Sequence, residues 1–291
     1  MIYVLLAASC SVLVSVLLKL ARRNDIDVAQ AIGWNYLAAA TLCFFLLDPP
    51  LASLSQAGTP WPSLLGLAVV LPSLFLVLAA SVRRAGIVLT DIAQRLSLLL
   101  SLLAAFVFFG ESASALKLAG LALGLLAVLG ILWRPQGAES FDGARAWPSL
   151  LTVWAGFALV DVMLKHISAA GTPFAASLQV SFTLAFVGMA IWLLIRAAQG
   201  QRQGQGRLTA RNAAAGLLLG AINFCNILFY VQAHRALPGQ PAVVFASMNI
   251  GVVVLGTLVG VFAFGERLSR INRIAILGAV LAIVLIALAK G

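Results

Sequence analysis

The sequence predicts an all-α integral membrane protein, with ten transmembrane helices arranged as two inverted five-helix repeats. Three observations lead there. Of the 291 residues, 62% are hydrophobic and only 10% charged, with a mean hydropathy of +1.06, whereas a soluble domain carries about 25% charged residues. The apolar residues gather into ten runs, each close to the roughly 20 residues a helix needs to cross the hydrocarbon. Short motifs recur between the two halves of the chain.

The runs span approximately residues 2–20, 28–47, 63–82, 88–109, 113–133, 148–168, 173–195, 213–234, 241–264 and 270–289. Each reads as a helix, because an open strand would leave its backbone unpaired in lipid. The first has no Lys or Arg ahead of it and stays apolar through Leu18, so Ala7-Ala8-Ser9-Cys10 belongs to an uncleaved helix rather than a lipoprotein cleavage site. The second stops at Asp48-Pro49-Pro50. The third contains Pro72 near mid-depth, which removes a backbone hydrogen bond and predicts a kink. The fourth opens on Thr90-Asp91-Ile92-Ala93-Gln94-Arg95, and the fifth closes at Arg134-Pro135-Gln136-Gly137. Between the seventh and eighth lies Gln199–Arg211, whose Gly, Gln and Arg content predicts a flexible, solvated loop. Leu237-Pro238-Gly239 separates the eighth from the ninth. Glycines spaced four apart (Gly120 and Gly124, Gly216 and Gly220, Gly256 and Gly260) fit close helix packing.

The repeat is visible in Arg84-Ala85 and Phe109-Gly110-Glu111, matched by Arg235-Ala236 and Phe264-Gly265-Glu266-Arg267. Lys19 and Lys165, each preceded by Leu, also correspond. An odd number of helices per copy forces the second copy into the opposite orientation, an architecture found in many secondary transporters. The expected division is residues 1–135, a linker at 136–147, and 148–291. Fourteen Lys and Arg residues fall in the gaps after odd-numbered runs and four on the other side. The positive-inside rule therefore puts the fourteen in the cytoplasm and both termini outside.

The net charge of +10 does not indicate a nucleic-acid partner. The basic residues sit in short gaps between apolar runs, as on a cytoplasmic membrane face. Cys10, Cys43 and Cys225 lie inside apolar runs without metal-ligand spacing and read as buried thiols. No HExxH, Gly-x-Ser-x-Gly or phosphate-cradling loop occurs in a fitting context, and His166 and His234 stand near helix ends. Neither a cofactor nor an enzymatic activity is expected.

Five helices twice, with Gly-Glu closing the fourth and ninth, resembles the EamA-type drug/metabolite transporter superfamily over nearly the whole chain. Gly265-Glu266-Arg267-Leu268 is similar to the family's closing motif, while Gly110-Glu111-Ser112 keeps only its Gly-Glu. The segments from Arg84 to Glu111 and from Arg235 to Glu266 resemble its paired core helices; Leu98 and Val253 stand where a proline is often found. The resemblance implies alternating-access transport of a small metabolite or drug-like solute, often outward, around a mid-membrane polar site in the inner membrane. Members often have cytoplasmic termini; the charge count puts these outside.

Three polar groups stand at depth and are candidates for substrate binding or coupling. Asp91, Gln94 and Arg95 share a helix, with Asp91 and Arg95 four residues apart on one face. Either Arg95 grips an anion, held by Asp91, or the two are a structural pair with Arg95 snorkelling toward the membrane surface. Asp161 and Lys165 repeat the spacing on the sixth run, where Asp161 carries a proton as coupling ion, binds an amine or pairs Lys165. Asn223, Asn226 and Asn249 offer amides either to a solute or to neighbouring helices. Gly110, Glu111, Gly265 and Glu266 read as a structural motif in which each glutamate caps a turn or pairs a basic residue. Trp34, Trp133, Trp154 and Trp192 read as interfacial or packing residues.

Overall fold

A computed structural model describes residues 2–56, 58–109, 114–132, 143–201, 208–237 and 241–288. Among these residues the chain is all-helical, with nine α-helices and no strand. They are α1 (Ile2–Arg23), α2 (Val28–Leu47), α3 (Trp61–Phe109), α4 (Ala115–Leu132), α5 (Gly143–Ala169), α6 (Phe174–Gln201), α7 (Ala210–Ala236), α8 (Pro241–Leu258) and α9 (Arg270–Leu288). A π-helical turn, Val259–Ala263, continues α8.

Among the described residues, six stretches are long and apolar enough to cross a membrane: Ile2–Ala21, Val28–Leu47, Trp61–Ser97, Trp147–Ala169, Phe174–Gln199 and Ala210–Ala236. Leu118–Ala127 and Ser247–Ala263 are shorter apolar helices. The third and fourth expected runs both lie within α3, as two helical segments that meet across a kink in the expected gap between residues 82 and 88. The break is at Gly86, and Pro72 lies inside the first of the two segments. Gly86 has φ 89° and ψ 170°, outside the helical region and accessible mainly to glycine. Side chains exposed on the helices are often large and apolar, such as Phe262 (81%) and Leu277 (71%), as lipid-facing positions require.

Two expectations meet the helix ends differently. The expected linker at 136–147 falls largely outside the described residues, but α5 already begins at Gly143. The Gln199–Arg211 loop is shorter than expected: α6 runs to Gln201 and α7 starts at Ala210, and residues 202–207 lie outside the described residues.

The chain forms two compact units, interleaved in sequence. The first comprises residues 1–16, 77–159 and 226–291. Its core gathers Val88, Ile92, Leu96 and Leu99 of α3 with Leu121 and Ala127 of α4, Val253 of α8, and Ala275 and Ala279 of α9. The α3 residues recur every three or four positions and form one helical face. Glycines bring the helices of this unit together. A side chain at Gly120 would meet Ile286, one at Gly124 would meet Leu99, and one at Gly130 would meet Ala275.

The second unit comprises residues 17–76 and 160–225. Here α2 packs on α6 and α7. Gly33 lies against Leu193; Gly216 faces Ala31 and Trp34, and Gly220 faces Asn35 and Ala38. Tyr36 is fully enclosed, with the rings of Phe75 and Phe182 each 6.1 Å away. Cys43 is likewise buried.

Candidate functional site

In the first unit, Asp91 and Arg95 are held by two serines of α1. Ser15 Oγ donates to Asp91 Oδ1 at 2.7 Å, and Arg95 Nη2 donates to Ser11 Oγ at 2.6 Å. The pairing order, 91 with 15 and 95 with 11, makes the two helices antiparallel where they touch. A four-residue step on each advances both by one turn, so the contacts stay in register. One turn further along α1, Asn226 Nδ2 donates to the carbonyl of Ala7 at 2.7 Å. The residues at 7, 11 and 15 thus form a polar seam on an apolar helix.

Asp91 is 1% exposed. Its Oδ2 has no hydrogen-bond partner. That oxygen points at Gly256 of α8, where a Cβ would come within 2.7 Å of it. Glycine is needed there to admit the carboxylate. Asn249, 6% exposed, lies two turns before Gly256 on the same side of α8. Gln94 and Arg95 are half-buried. Beside them, Trp154 Nε1 donates to the carbonyl of Leu96 at 2.8 Å, so Trp154 packs against this segment.

Glu266 explains the break at Gly86. Its Oε1 accepts from the backbone N–H of Ile87 at 2.6 Å and its Oε2 from Val88 at 3.0 Å. These are the first N–H groups of the helical segment that carries Asp91, and a carboxylate satisfies both them and the positive end of the helix dipole. Two glycines make the space. A Cβ at Gly86 would come within 2.7 Å of the carboxylate, and one at Gly260 within 2.9 Å. Gly265, at φ 65°, takes the left-handed turn that aims Glu266 inward. The glutamate of this motif is a helix cap. Gly110, Glu111 and Trp133 lie outside the described residues.

The other candidates belong to the second unit. Asn223 Nδ2 donates to Asn35 Oδ1 at 3.4 Å, an interhelical amide contact. Asp161 is exposed and Lys165 half-buried; between them Met163 packs on Gly66. His166 Nδ1 lies 3.0 Å from Ser63 Oγ. In the first unit, His234 sits at the end of α7 with Nδ1 3.1 Å from the Tyr230 carbonyl.

A carboxylate–guanidinium ion pair, Asp27 with Arg196, escaped the sequence reading. Asp27 caps α2, accepting from the N–H of Ala29 and Gln30, and Arg196 reaches it at 3.0 Å. Gln30 Nε2 also donates to Asp27, and Asn212 joins the set through Asp27 N and Gln30 Oε1. The signal was present: Asp-x-x-Gln ahead of an apolar run is a capping-box pattern. Trp192 lies under the Arg196 guanidinium, 5.8 Å from ring centroid to Cζ, and is 43% exposed.

These features define a multi-pass helical membrane protein with ionisable side chains buried among its helices. The profile of the EamA-like transporter family matches residues 1–133. An uncharacterized protein of Haemophilus influenzae is 40% identical over 276 residues, covering 93% of this chain and 92% of its own. Residues 1–133 thus form an EamA-like transporter family domain, consistent with the drug/metabolite transporter superfamily. A solved crystal structure is similar over 97% of this chain and 95% of its own, with a TM-score of 0.55 and 17% identity, a likeness of fold alone.

Proposed function

We propose that this protein is a secondary active transporter that exports a small solute across the inner membrane by alternating access. Ten spans would form two inverted five-helix repeats, residues 1–135 and 148–291, joined by 136–147. The reading rests above all on one observation: Asp91, buried and holding a single serine hydrogen bond. A buried carboxyl group in a membrane helix is costly and marks a pathway for solute or proton. In this reading Arg95 binds a negative group of the solute, and Asp91 holds Arg95 or exchanges a coupling proton. Gln94 and Asn249 add hydrogen bonds. Asp161 with Lys165, and Asn223, are further coupling or binding positions, while Asn226 acts through its bond to α1.

The test is flux in proteoliposomes loaded with a panel of carboxylate and amine solutes under an imposed pH gradient. Saturable flux of one class, accelerated by the gradient, supports the reading; conversion of the solute into a product would replace it with an enzyme. The Lys and Arg asymmetry further predicts extracytoplasmic termini. An impermeant thiol reagent applied to intact cells should label a cysteine placed at the C-terminus and spare one placed in the 202–207 segment. The opposite pattern would invert the topology.

A further inference from the structure

We infer that the second unit carries a binding site for an anionic phospholipid of the surrounding bilayer. A cavity of about 300 Å³ opens where the end of α1 meets the starts of α2 and α7. Its walls are apolar: Leu17, Leu20, Ala31, Ala215 and Leu218 are typical. Among the described residues its polar lining is Asn24 and Arg211. Arg211 is exposed in the first turn of α7, and from there to Leu219 the wall runs roughly 12 Å along the helix. An apolar slot with a guanidinium at its mouth matches an acyl chain carrying an anionic head.

The slot is preformed. Asn212, next to Arg211, accepts from Asp27 N at 3.1 Å and donates to Gln30 Oε1 at 3.0 Å. Thr209 N donates to the same Gln30 oxygen at 3.3 Å. Asn212 and Gln30 are both buried, at 6% and 3% exposure. These bonds tie the first turn of α7 to the first turn of α2 and hold the two walls apart at fixed spacing. A lipid entering the slot therefore orders little protein, which favours binding.

Charge selects the head group. Arg23 is exposed at the end of α1, close in sequence to Asn24. The acidic residues of the α1–α2 connection are Asp25 and Asp27, and Asp27 is already engaged by Arg196. The mouth is therefore net basic, and basic pockets between membrane helices favour anionic head groups. The occupant is a phospholipid rather than a free anion, because most of the lining is apolar.

Native mass spectrometry of the full chain in detergent, titrated with phosphatidylglycerol or phosphatidylcholine, tests this. The wild type should retain phosphatidylglycerol over phosphatidylcholine by about fivefold, the factor one basic residue near an anionic surface is worth. Arg211→Gln should remove that preference, and Arg270→Gln, an exposed arginine elsewhere, should keep it. Ala215→Trp, which fills the slot, should lower retention of both lipids. A melting series adds the head group alone: phosphatidylglycerol should raise the melting temperature and inorganic phosphate should not. Equal retention of both lipids by the wild type, a preference that survives Arg211→Gln, or an equal effect of phosphate would overturn the inference. Arg211 is exposed, so its variant folds and keeps the test decisive if Ala215→Trp does not.

Discussion

Among the described residues, two carboxylates with an arginine nearby, Asp27 ion-paired to Arg196 and Asp91 one turn before Arg95, differ in how completely each is satisfied. Asp27 accepts two backbone N–H groups, an amide and a guanidinium, and its side chain is 24% exposed. Every lone pair has work, and water can reach what remains. Asp91 is 1% exposed and takes one hydrogen bond, from Ser15, while its second oxygen has no hydrogen-bond partner and faces a glycine. The first arrangement is what a helix end needs. The second is what a helix interior avoids unless the group serves something besides folding. Sequence spacing separates the two poorly; hydrogen-bond accounting separates them well.

The largest effect that would sharpen this contrast comes from the deeper group. Arg95→Gln and Asp91→Asn should each lower solute flux in proteoliposomes by about tenfold or more, since a hydrogen bond to a charged group is worth roughly 1.5–3 kcal/mol. Each single change also strands a charge in the membrane and should reduce the amount of folded protein. The double change Asp91→Asn with Arg95→Gln should restore folded protein without restoring flux. Full flux in the double variant would make the pair structural and erase the distinction from Asp27. Arg95→Lys should rescue only in part, because an ammonium lacks the two-pronged geometry of the guanidinium.

Asp27 should behave in the opposite way. Asp27→Ala removes the cap of α2 and the partner of Arg196, and should destabilise the protein by about 2 kcal/mol, the upper range for an N-cap. The melting temperature in detergent reads the loss. Flux per folded molecule should be unchanged. A flux defect at constant folded protein would place Asp27 in the transport cycle and collapse the comparison.

Much of the fold was legible from hydrophobic run length alone. α2 falls where its run predicts, at Val28–Leu47, and α9 ends within two residues of its run. The gap between the third and fourth runs also holds the break at Gly86, though run length does not name what caps it. Pro72 lies inside helical backbone, because a helix in lipid or packed against others retains its geometry across a missing hydrogen bond. The break is at Gly86, where a glutamate 180 positions away supplies the cap. No local pattern encodes that partner. The candidate site was half legible. Asp91 and Arg95 stood out as charges in an apolar run, but Ser11 and Ser15, which bind them, look like any small residues of a packed helix. Gly256 and Gly260 fitted a close-packing pattern, and they are close-packed, each against a carboxylate. The pattern names the position and not the neighbour.

Gly256 gives a smaller test of the same contrast. Gly256→Ala puts a methyl group against the Asp91 carboxylate without removing any charge. The carboxylate must rotate away, which disturbs the bond from Ser15. Flux should fall a few-fold, less than for Asp91→Asn. Melting should change little, since alanine favours the helix by about 1 kcal/mol over glycine and offsets the crowding. Unchanged flux would mean that the orientation of Asp91 is not critical.

The smallest expected effect concerns Glu266, which resembles Asp27 in chemistry and serves the helix segment that carries Asp91. Glu266→Gln keeps a carbonyl oxygen for one of the two N–H groups, of Ile87 or Val88, and turns an NH₂ toward the other. The loss should be about 1 kcal/mol, one net hydrogen bond. Glu266→Ala leaves both donors without a partner and should cost more than the glutamine variant. Because the cap fixes where the segment starts, and Asp91 and Arg95 follow one and two turns later, a loosened start shifts both together. Flux should therefore fall in proportion to the melting temperature across the Gln and Ala variants. At Asp27, by contrast, melting falls and flux per folded molecule does not. If Glu266 variants lose stability and keep full flux per folded molecule, the cap belongs with Asp27 as a device of the fold alone. If they lose flux at constant melting temperature, Glu266 acts on the solute directly and is more than a cap.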